Sequence, residues 1–448
     1  MATEDEHNEK RFRATTPTRR FMKLAGMSAN IAKNYTSHKM KGMFADDETK
    51  KKSQEQLLED IGKQVAQTLG EMKGAVMKVG QIASQLKDLL PAEIAEALAV
   101  LQKESPPMPY SMIKRQLIKS LGHPPEELFG SFDEKPFAAA SIGQVHKATT
   151  KDGVECVVKI QYPGVQESCD SDLRHLRRLL KLAGLAKVSG EIIDATFDEI
   201  RRTLLEELDY VHEAENLTFF AEHYRDNPKI IVPELIPDLS SEKVLTLTYV
   251  EGDSLKDVKA PRYSQEIRNE IGYRIFETIG RQIYELKAVH SDPHPGNFAF
   301  RPDGSLIIFD FGAVKRIEDA TIEKLRALAS DAVNGNIDKL DQHLVNIGVR
   351  NTTGPDVTPQ YYQEWLDIVL EPFASYTPYN FATSRLHKDA IKKVRKDAMK
   401  YFGSFQPAPD TMQVDRVISG HYWTMVDLGV NVAFRPLIDE IVLRKAAV

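Results

Sequence analysis

The sequence predicts an α+β chain with a strand-bearing lobe followed by a helical one, and three observations carry that prediction. Two Asp-Gly pairs, Asp152-Gly153 and Asp303-Gly304, each sit between short apolar or β-branched runs, the pattern of antiparallel hairpins. Ile267, Ile271, Ile275, Ile279 and Ile283 recur every fourth residue, as in the apolar stripe of a long core helix. From about residue 320 the pattern is mostly helical, broken at Asn351-Thr352-Thr353-Gly354-Pro355 and Gln406-Pro407-Ala408-Pro409. With 448 residues, 42% of them hydrophobic, the chain can bury two lobes plus helical additions.

Taken in order, residues 1–52 form a basic arm expected to be flexible, with twelve Lys and Arg against seven Asp and Glu. Arg19-Arg20-Phe21-Met22-Lys23-Leu24-Ala25 and the stretch from Met27 to Ile31 read either as a basic amphipathic helix for an anionic membrane surface or as a solvated tail. Glu4, Asp5, Glu6 and Glu9 oppose a mitochondrial presequence. Residues 53–124 form a helical extension, interrupted at Pro106-Pro107-Met108-Pro109. Residues 125–250 form the small lobe, with a helical insertion between Lys159 and Glu207, and residues 251–448 form the large lobe and C-terminal helices. No run of eighteen apolar residues occurs, so the expectation is a cytoplasmic chain whose membrane contact is at most peripheral. A net charge of −6 gives no case for nucleic-acid binding, and the two cysteines, Cys156 and Cys169, point to a reducing compartment without a disulfide framework.

The chemistry is concentrated in His290-Ser291-Asp292-Pro293-His294-Pro295-Gly296-Asn297 and Asp310-Phe311-Gly312. Asp292 and Asn297 are five apart, and Asn297 and Asp310 thirteen, the spacing of a protein-kinase catalytic loop and its metal-binding D-F-G. The Asp310 carboxylate and the Asn297 amide oxygen are hard ligands suited to Mg2+ on a nucleotide's phosphates, and Asp292 would orient or deprotonate the acceptor. A tight hairpin about Asp303-Gly304 would bring Asn297 and Asp310 to the same end. His290 and His294 lack the Cys or His companions of a zinc site.

Upstream, Val157-Val158-Lys159-Ile160 matches the kinase strand whose lysine contacts the α and β phosphates. The strand Val244-Leu245-Thr246-Leu247-Thr248-Tyr249-Val250 leads into Glu251-Gly252, which would be the hinge where adenine stacks, with Tyr249 and Val250 as cofactor-binding residues beside it. The usual glycine-rich loop is absent. In its place stands a turn reading Phe137-Ala138-Ala139-Ala140-Ser141-Ile142-Gly143-Gln144, stiffer because each Ala restricts φ. Ser291 replaces the arginine that grips a phosphorylated activation loop, no A-P-E follows Gly312, and a helix is expected from Glu318, which leaves little room for peptide docking.

This set of motifs resembles the UbiB family of atypical kinases, also called AarF-domain kinases. The resemblance includes Lys78-Val79-Gly80-Gln81, the family's K-x-G-Q signature, and Glu207-Leu208-Asp209-Tyr210 with Glu213-Ala214-Glu215-Asn216, and it covers residues 60 to 320 well. It implies a protein-kinase-like two-lobed fold with a helical N-terminal extension carrying K-x-G-Q and helical C-terminal additions. It further implies that Glu207 pairs with Lys159, that Glu213 lies near the phosphates or metal, and that Ala138, Ala139, Ala140 and Ser141 line the nucleotide. Lys78 and Gln81 share one helix face, which in the family folds over the nucleotide site; by pattern alone they would be an ordinary solvated stripe. The implied function is that of an ATPase using ATP or ADP with Mg2+ in support of isoprenoid-quinone (ubiquinone) biosynthesis. A lipid or quinone precursor is the implied ligand, and quinone-biosynthesis enzymes are the implied partners. Two alternatives stay open: a protein Ser/Thr kinase with restricted substrate access, and a nucleotide-stabilised scaffold without catalysis.

Overall fold

The computed structural model describes residues 107–444 apart from 140–141, 183–189 and 260, together with scattered residues between 22 and 68. The helical extension carrying Lys78 and Gln81, and Ala140 and Ser141 of the alanine-rich stretch, lie outside the described residues. The chain divides into two compact units, one holding Met1–Glu215 and Glu234–Tyr249, the other Asn216–Pro233 and Val250–Val448.

The first unit is built on an antiparallel sheet. After helix α1 (Tyr110–Leu121) and the short α2 (Pro125–Leu128) come β1 (Phe129–Phe132), β2 (Ala138–Ala139), β3 (Gly143–Thr150), β4 (Glu155–Gln161) and, later in the chain, β6 (Val244–Thr248). Their order is β1-β3-β4-β6, with β2 paired to β3. Alternation along β4 buries Cys156, Val158 and Ile160 on one face and leaves Val157 and Lys159 half-buried on the other. Both cysteines are free and buried, and burial pushes each thiol up to about 11. The β3–β4 connection is a three-residue turn: Thr150 N–H donates to the Val154 carbonyl, Gly153 N–H donates to that of Thr150, and Gly153 has a φ of 84°. These are the turn residues Lys151-Asp152-Gly153, and Gly153 takes the left-handed position that closes a type I turn. The helical insertion is an antiparallel pair, α3 (Val165–Leu182) and α4 (Gly190–Glu207), joined by Arg177–Asp194 at 2.5 Å and Arg201–Asp170 at 2.7 Å.

Helix α5 (Tyr210–Tyr224) contributes Glu213 to the first unit and Asn216 to the second. In the second unit, β5 (Ile230–Ile231) runs parallel to β9 (Leu306–Ile308), which pairs with β8 (Phe298–Phe300) in an antiparallel hairpin. This pairing joins residues 216–233 to the second unit, although sequence order places them within the span assigned to the small lobe. Helix α6 (Gln265–Tyr284) starts at Ser264, whose Oγ accepts from Ile267 N–H. It buries Ile271, Ile275 and Ile283 but leaves Ile267 and Ile279 only partly covered. A strict four-residue repeat drifts about 40° per step against a 3.6-residue turn, so Thr278 and Gln282 share the inner face instead. Strand β7 (Ala288–His290) pairs with β10 (Val314–Arg316), and α7 (Asp319–Val333) follows after two residues. Then come α8 (Leu340–Ile347), α9 (Pro359–Val369), β11 (Tyr379–Asn380), α10 (Leu386–Asp397), α11 (Pro409–Leu428), β12 (Asn431–Val432) and a closing helical turn at 435–442. Ile283, Val289, Ile317, Ile322, Val414 and Val417 form the core beneath β7, so α6, α7 and α11 meet under the loop that follows His290.

A buried polar network fixes the entry to the first unit. Gln144 Oε1 accepts from Met108 N–H at 2.9 Å, while its Nε2 lies 2.9 Å from His146 Nε2. The other ring nitrogen, Nδ1, is 2.7 Å from the Asp133 carbonyl, which can only accept, so Nδ1 carries the proton and Nε2 accepts from Gln144. Burial also pushes the His146 pKa down, favouring this neutral form. Gln144→Leu is expected to lower unfolding free energy by about 2 kcal/mol, because the Met108 N–H and His146 Nε2 would be buried without partners. Urea denaturation of the two proteins measures it.

Candidate active site

In the first unit the central pair is Lys159 and Glu213. Lys159 Nζ lies 2.8 Å from Glu213 Oε1 and 2.9 Å from Oε2. The carboxylate is 3% exposed and the lysine 19%. Position along the chain explains why Glu213 takes the pairing role that the resemblance gave to Glu207. Glu207 is the last residue of α4, whereas Asp209 caps the next helix, its Oδ1 accepting from His212 N–H at 2.9 Å, which places Glu213 in the first turn of α5. Tyr210, 1% exposed, lies beneath the ammonium, with Nζ 5.0 Å from its ring centroid.

Around this pair, β3 and β4 present one half-buried face on which Val145 stands opposite Lys159 and Lys147 opposite Val157. Ala138 and Ala139 are extended as β2, paired with Val145 and Gln144, and both are exposed. A turn was expected there; alanine has little strand preference of its own, and it is the two ladder positions on β3 that hold the segment extended. Tyr249 N–H donates to the Glu155 carbonyl at 2.9 Å. Its ring lies 3.9 Å from Lys147 Nζ and meets Phe137 edge-on at 6.1 Å. Val250, the other residue expected to bind adenine, opens the second unit together with the expected hinge Glu251-Gly252. Val145, Lys147, Val157 and Phe137 were not singled out from sequence, although alternation about Lys159 contains the signal for the first three.

In the second unit the two motifs are bound together through the backbone. The β8–β9 hairpin pairs Phe298 with Ile308, and Phe309 N–H donates to the Asn297 carbonyl at 3.0 Å, so Asn297 and the residue before Asp310 are neighbours, as the spacing predicts. This hairpin also closes with a three-residue turn, Gly304 taking a φ of 78°. His290 Nε2 hydrogen-bonds to the Asp310 carbonyl. A carbonyl only accepts, so the ring is the neutral Nε2–H tautomer, and burial pushes the His290 pKa down. Ser291 N–H donates to the Ala313 carbonyl at 2.8 Å, and Asn216 Nδ2 donates to that of Phe311 at 3.2 Å. Phe311 is fully buried, 4.9 Å from the ring of Phe220. Asp310 Oδ1 accepts from Gly312 N–H at 3.0 Å.

The catalytic loop is shaped from several sides. Asn297 Nδ2 donates to Asp292 Oδ2 at 2.8 Å. His294 Nδ1 accepts from Gly296 N–H at 3.0 Å and so caps the turn Pro295–Asn297. Gln282 of α6 accepts from His290 N–H at 3.0 Å and donates to Tyr224 Oη at 3.1 Å. Helix α11 lies directly on the loop: Arg416 reaches Asp292 Oδ1 at 3.4 Å, and a Cβ on Gly420 would fall 2.2 Å from Pro293 Cγ. His421, buried on the same helix, packs edge-on against Phe298 at 5.1 Å. Sequence reading missed Arg416, Gly420 and His421. They lie more than a hundred residues downstream in an unremarkable helical pattern, and only the tertiary fold brings them to the loop. Among the described residues no cluster of three or more His, Cys, Asp or Glu is arranged to hold a metal.

These two arrangements, a lysine–carboxylate pair on a small antiparallel sheet and a catalytic loop joined to D-F-G, define a protein-kinase-like fold of the atypical kind. Residues 100–344 match the ABC1 atypical kinase-like domain, and the chain belongs to that family, the one its motifs resemble. It is 31% identical over 386 residues to the mitochondrial atypical kinase coq-8 of Caenorhabditis elegans, covering 84% of this chain and 50% of that one. It is 36% identical over 270 residues to the mitochondrial atypical kinase COQ8 of Saccharomyces cerevisiae, covering 60% of this chain and 53% of that one. The chain thus spans about half the length of these curated relatives. Among solved structures, the Rv3197–erythromycin complex from Mycobacterium tuberculosis superposes with a TM-score of 0.62 at 31% identity, covering 88% of this chain and 98% of that one.

His421 gives the site a pH signature. Burial, with the nearby His290 ring, pushes its pKa from 6.5 down to about 3. The folded state therefore keeps His421 neutral while the unfolded chain protonates below about 6.5, so stability is present above that value and is lost as pH falls toward 3. Between pH 7.5 and 5.5 this residue should remove about 1.4 kcal/mol of unfolding free energy, and His421→Leu should flatten that part of the profile. Urea midpoints at the two pH values provide the check.

Proposed function

We propose that this protein is an atypical kinase-like ATPase that binds an adenine nucleotide with magnesium and supports isoprenoid-quinone biosynthesis. The observation that carries the reading is the Asn297–Asp292 hydrogen bond of 2.8 Å in a loop whose backbone is tied to Asp310 through His290 and Phe309. Donation of the Asn297 amide NH2 to Asp292 orients its oxygen as the coordinating atom, and with the Asp310 carboxylate this makes an all-oxygen donor set that fits Mg2+. Bound there, the ion would neutralise charge on the phosphates.

The chain's own residues have separable roles. Lys159, held by Glu213, would contact the α and β phosphates. Ala138 to Ser141 would lie along the nucleotide, and Tyr249 and Val250 would receive the adenine. Asp292, oriented by Asn297, would take the proton from the attacking hydroxyl or water. Lys78 and Gln81 would cover the site. β10 ends at Arg316 and α7 begins at Asp319, leaving two residues where an ordinary kinase docks a peptide, which favours water or a small acceptor over a protein. Quinone biosynthesis is the setting that the family resemblance implies, and the COQ8 relatives support it by their names.

Two substitutions test the reading. Asp310→Asn should abolish the Mg2+-dependent rise in melting temperature with ADP or ATP, because a neutral amide cannot offset the metal's charge. Asp292→Asn should keep that rise but lower ATP turnover by about a hundredfold or more. Full ligand stabilisation in the first variant, or wild-type turnover in the second, would contradict the assignment.

A further inference from the structure

Helix α10 and the turn after it carry a surface that the nucleotide chemistry does not use. Residues 385–402 contain seven Lys and Arg against two Asp, in a chain whose net charge is −6. The inner face is accounted for: Lys393 is buried, 2.7 Å from Glu364 and 2.9 Å from Asp397. The outer face divides into two stripes. Ile391, Val394 and Ala398, spaced by three and four residues, form an exposed apolar stripe, and Lys388, Lys392, Arg395 and Lys396 form an exposed basic stripe beside it.

The apolar stripe does not end with the helix. Met399 is 90% exposed and Phe402 81%, values far from those of large apolar side chains that have a place in a core. At the other end, His387 meets Trp423 of α11 with ring centroids 4.7 Å apart, and that indole is itself 46% exposed. An apolar stripe flanked by lysines, with protruding Phe and Met and an exposed Trp, is the pattern of a helix lying in a lipid interface. Among the described residues no helix is long and apolar enough to cross a membrane, so such contact would be with its surface.

We propose that the outer face of α10, continued by Met399 and Phe402, docks on an anionic membrane surface. The basic stripe would attract acidic headgroups while the apolar stripe enters the headgroup–acyl boundary. The proposal does not rest on the nucleotide reading, because none of its residues belongs to the lysine–carboxylate pair or to the catalytic loop.

Sedimentation of the full chain with vesicles tests it, using phosphatidylcholine alone and phosphatidylcholine mixed with phosphatidylglycerol. The wild-type protein should partition onto the anionic vesicles and be released by high salt, with little binding to the neutral ones. Lys392→Glu with Lys396→Glu, and separately Met399→Ser with Phe402→Ser, should each weaken partitioning about tenfold. Both variants keep the basic arm of residues 1–52, so a loss assigns the effect to α10. Both should also melt as wild type does and keep its ADP-induced stabilisation, which separates this result from a failure of the nucleotide reading. Wild-type partitioning in either variant, no binding of wild type to anionic vesicles, or retention on immobilised poly-glutamate without vesicle binding would overturn the proposal.

Discussion

A carboxylate that is almost fully buried has to be met by a cation, and in this protein that requirement falls on Glu213 and Lys159. Glu213 is 3% exposed at the side chain and lies against the Lys159 ammonium. Stripping water from both groups costs several kcal/mol per ion, so the pair persists only with close geometry and supporting contacts. The support here is specific: Asp209 starts α5 in the right phase, Tyr210 packs under the ammonium, and β4 is held between β3 and β6. Removing either partner would cost the other its bidentate contact at 2.8 and 2.9 Å. The contact ties the first turn of α5 to β4.

In the second unit the ordering force is different, because neutral hydrogen bonds to backbone carbonyls do the positioning. His290, Ser291 and Asn216 each engage the chain at or beside Asp310-Phe311-Gly312, and buried Phe311 fills the space beneath. A neutral imidazole suits this role, since a protonated ring would be costly at such depth. Around that core the loop is braced by Gln282 from α6 and by Gly420 from α11, where the missing side chain lets the helix backbone approach Pro293. The carboxylate of Asp292 then needs only the Asn297 amide and the Arg416 guanidinium to set its direction.

Much of this was legible in the chain itself because the informative contacts are short in sequence or fixed by strand period. The spacing of Asn297 from Asp310 predicts a hairpin, and the register of β8 and β9 provides it. The V-V-K-I pattern predicts a strand with Lys159 on the functional face, and alternation with Val158 produces it. Three features were harder to read. Glu207 and Glu213 are both acidic and six apart, and choosing between them required knowing that one helix stops and another starts at Asp209. Ala138 and Ala139 have no strong preference of their own, so only pairing with β3 reveals a strand. Arg416 and Gly420 reach the loop by tertiary packing, which leaves no local trace.

The central claim is that Lys159, braced by Glu213, is the group that receives the phosphates of a bound nucleotide. Calorimetric titration with Mg·ADP, carried out well below the melting temperature of each protein, addresses it by comparing Glu213→Gln with Glu207→Gln. The account predicts that Glu213→Gln weakens binding about tenfold or more, because the lysine loses the partner that orients it, while Glu207→Gln stays close to wild type. Wild-type affinity in Glu213→Gln, or the larger loss in Glu207→Gln, would contradict it.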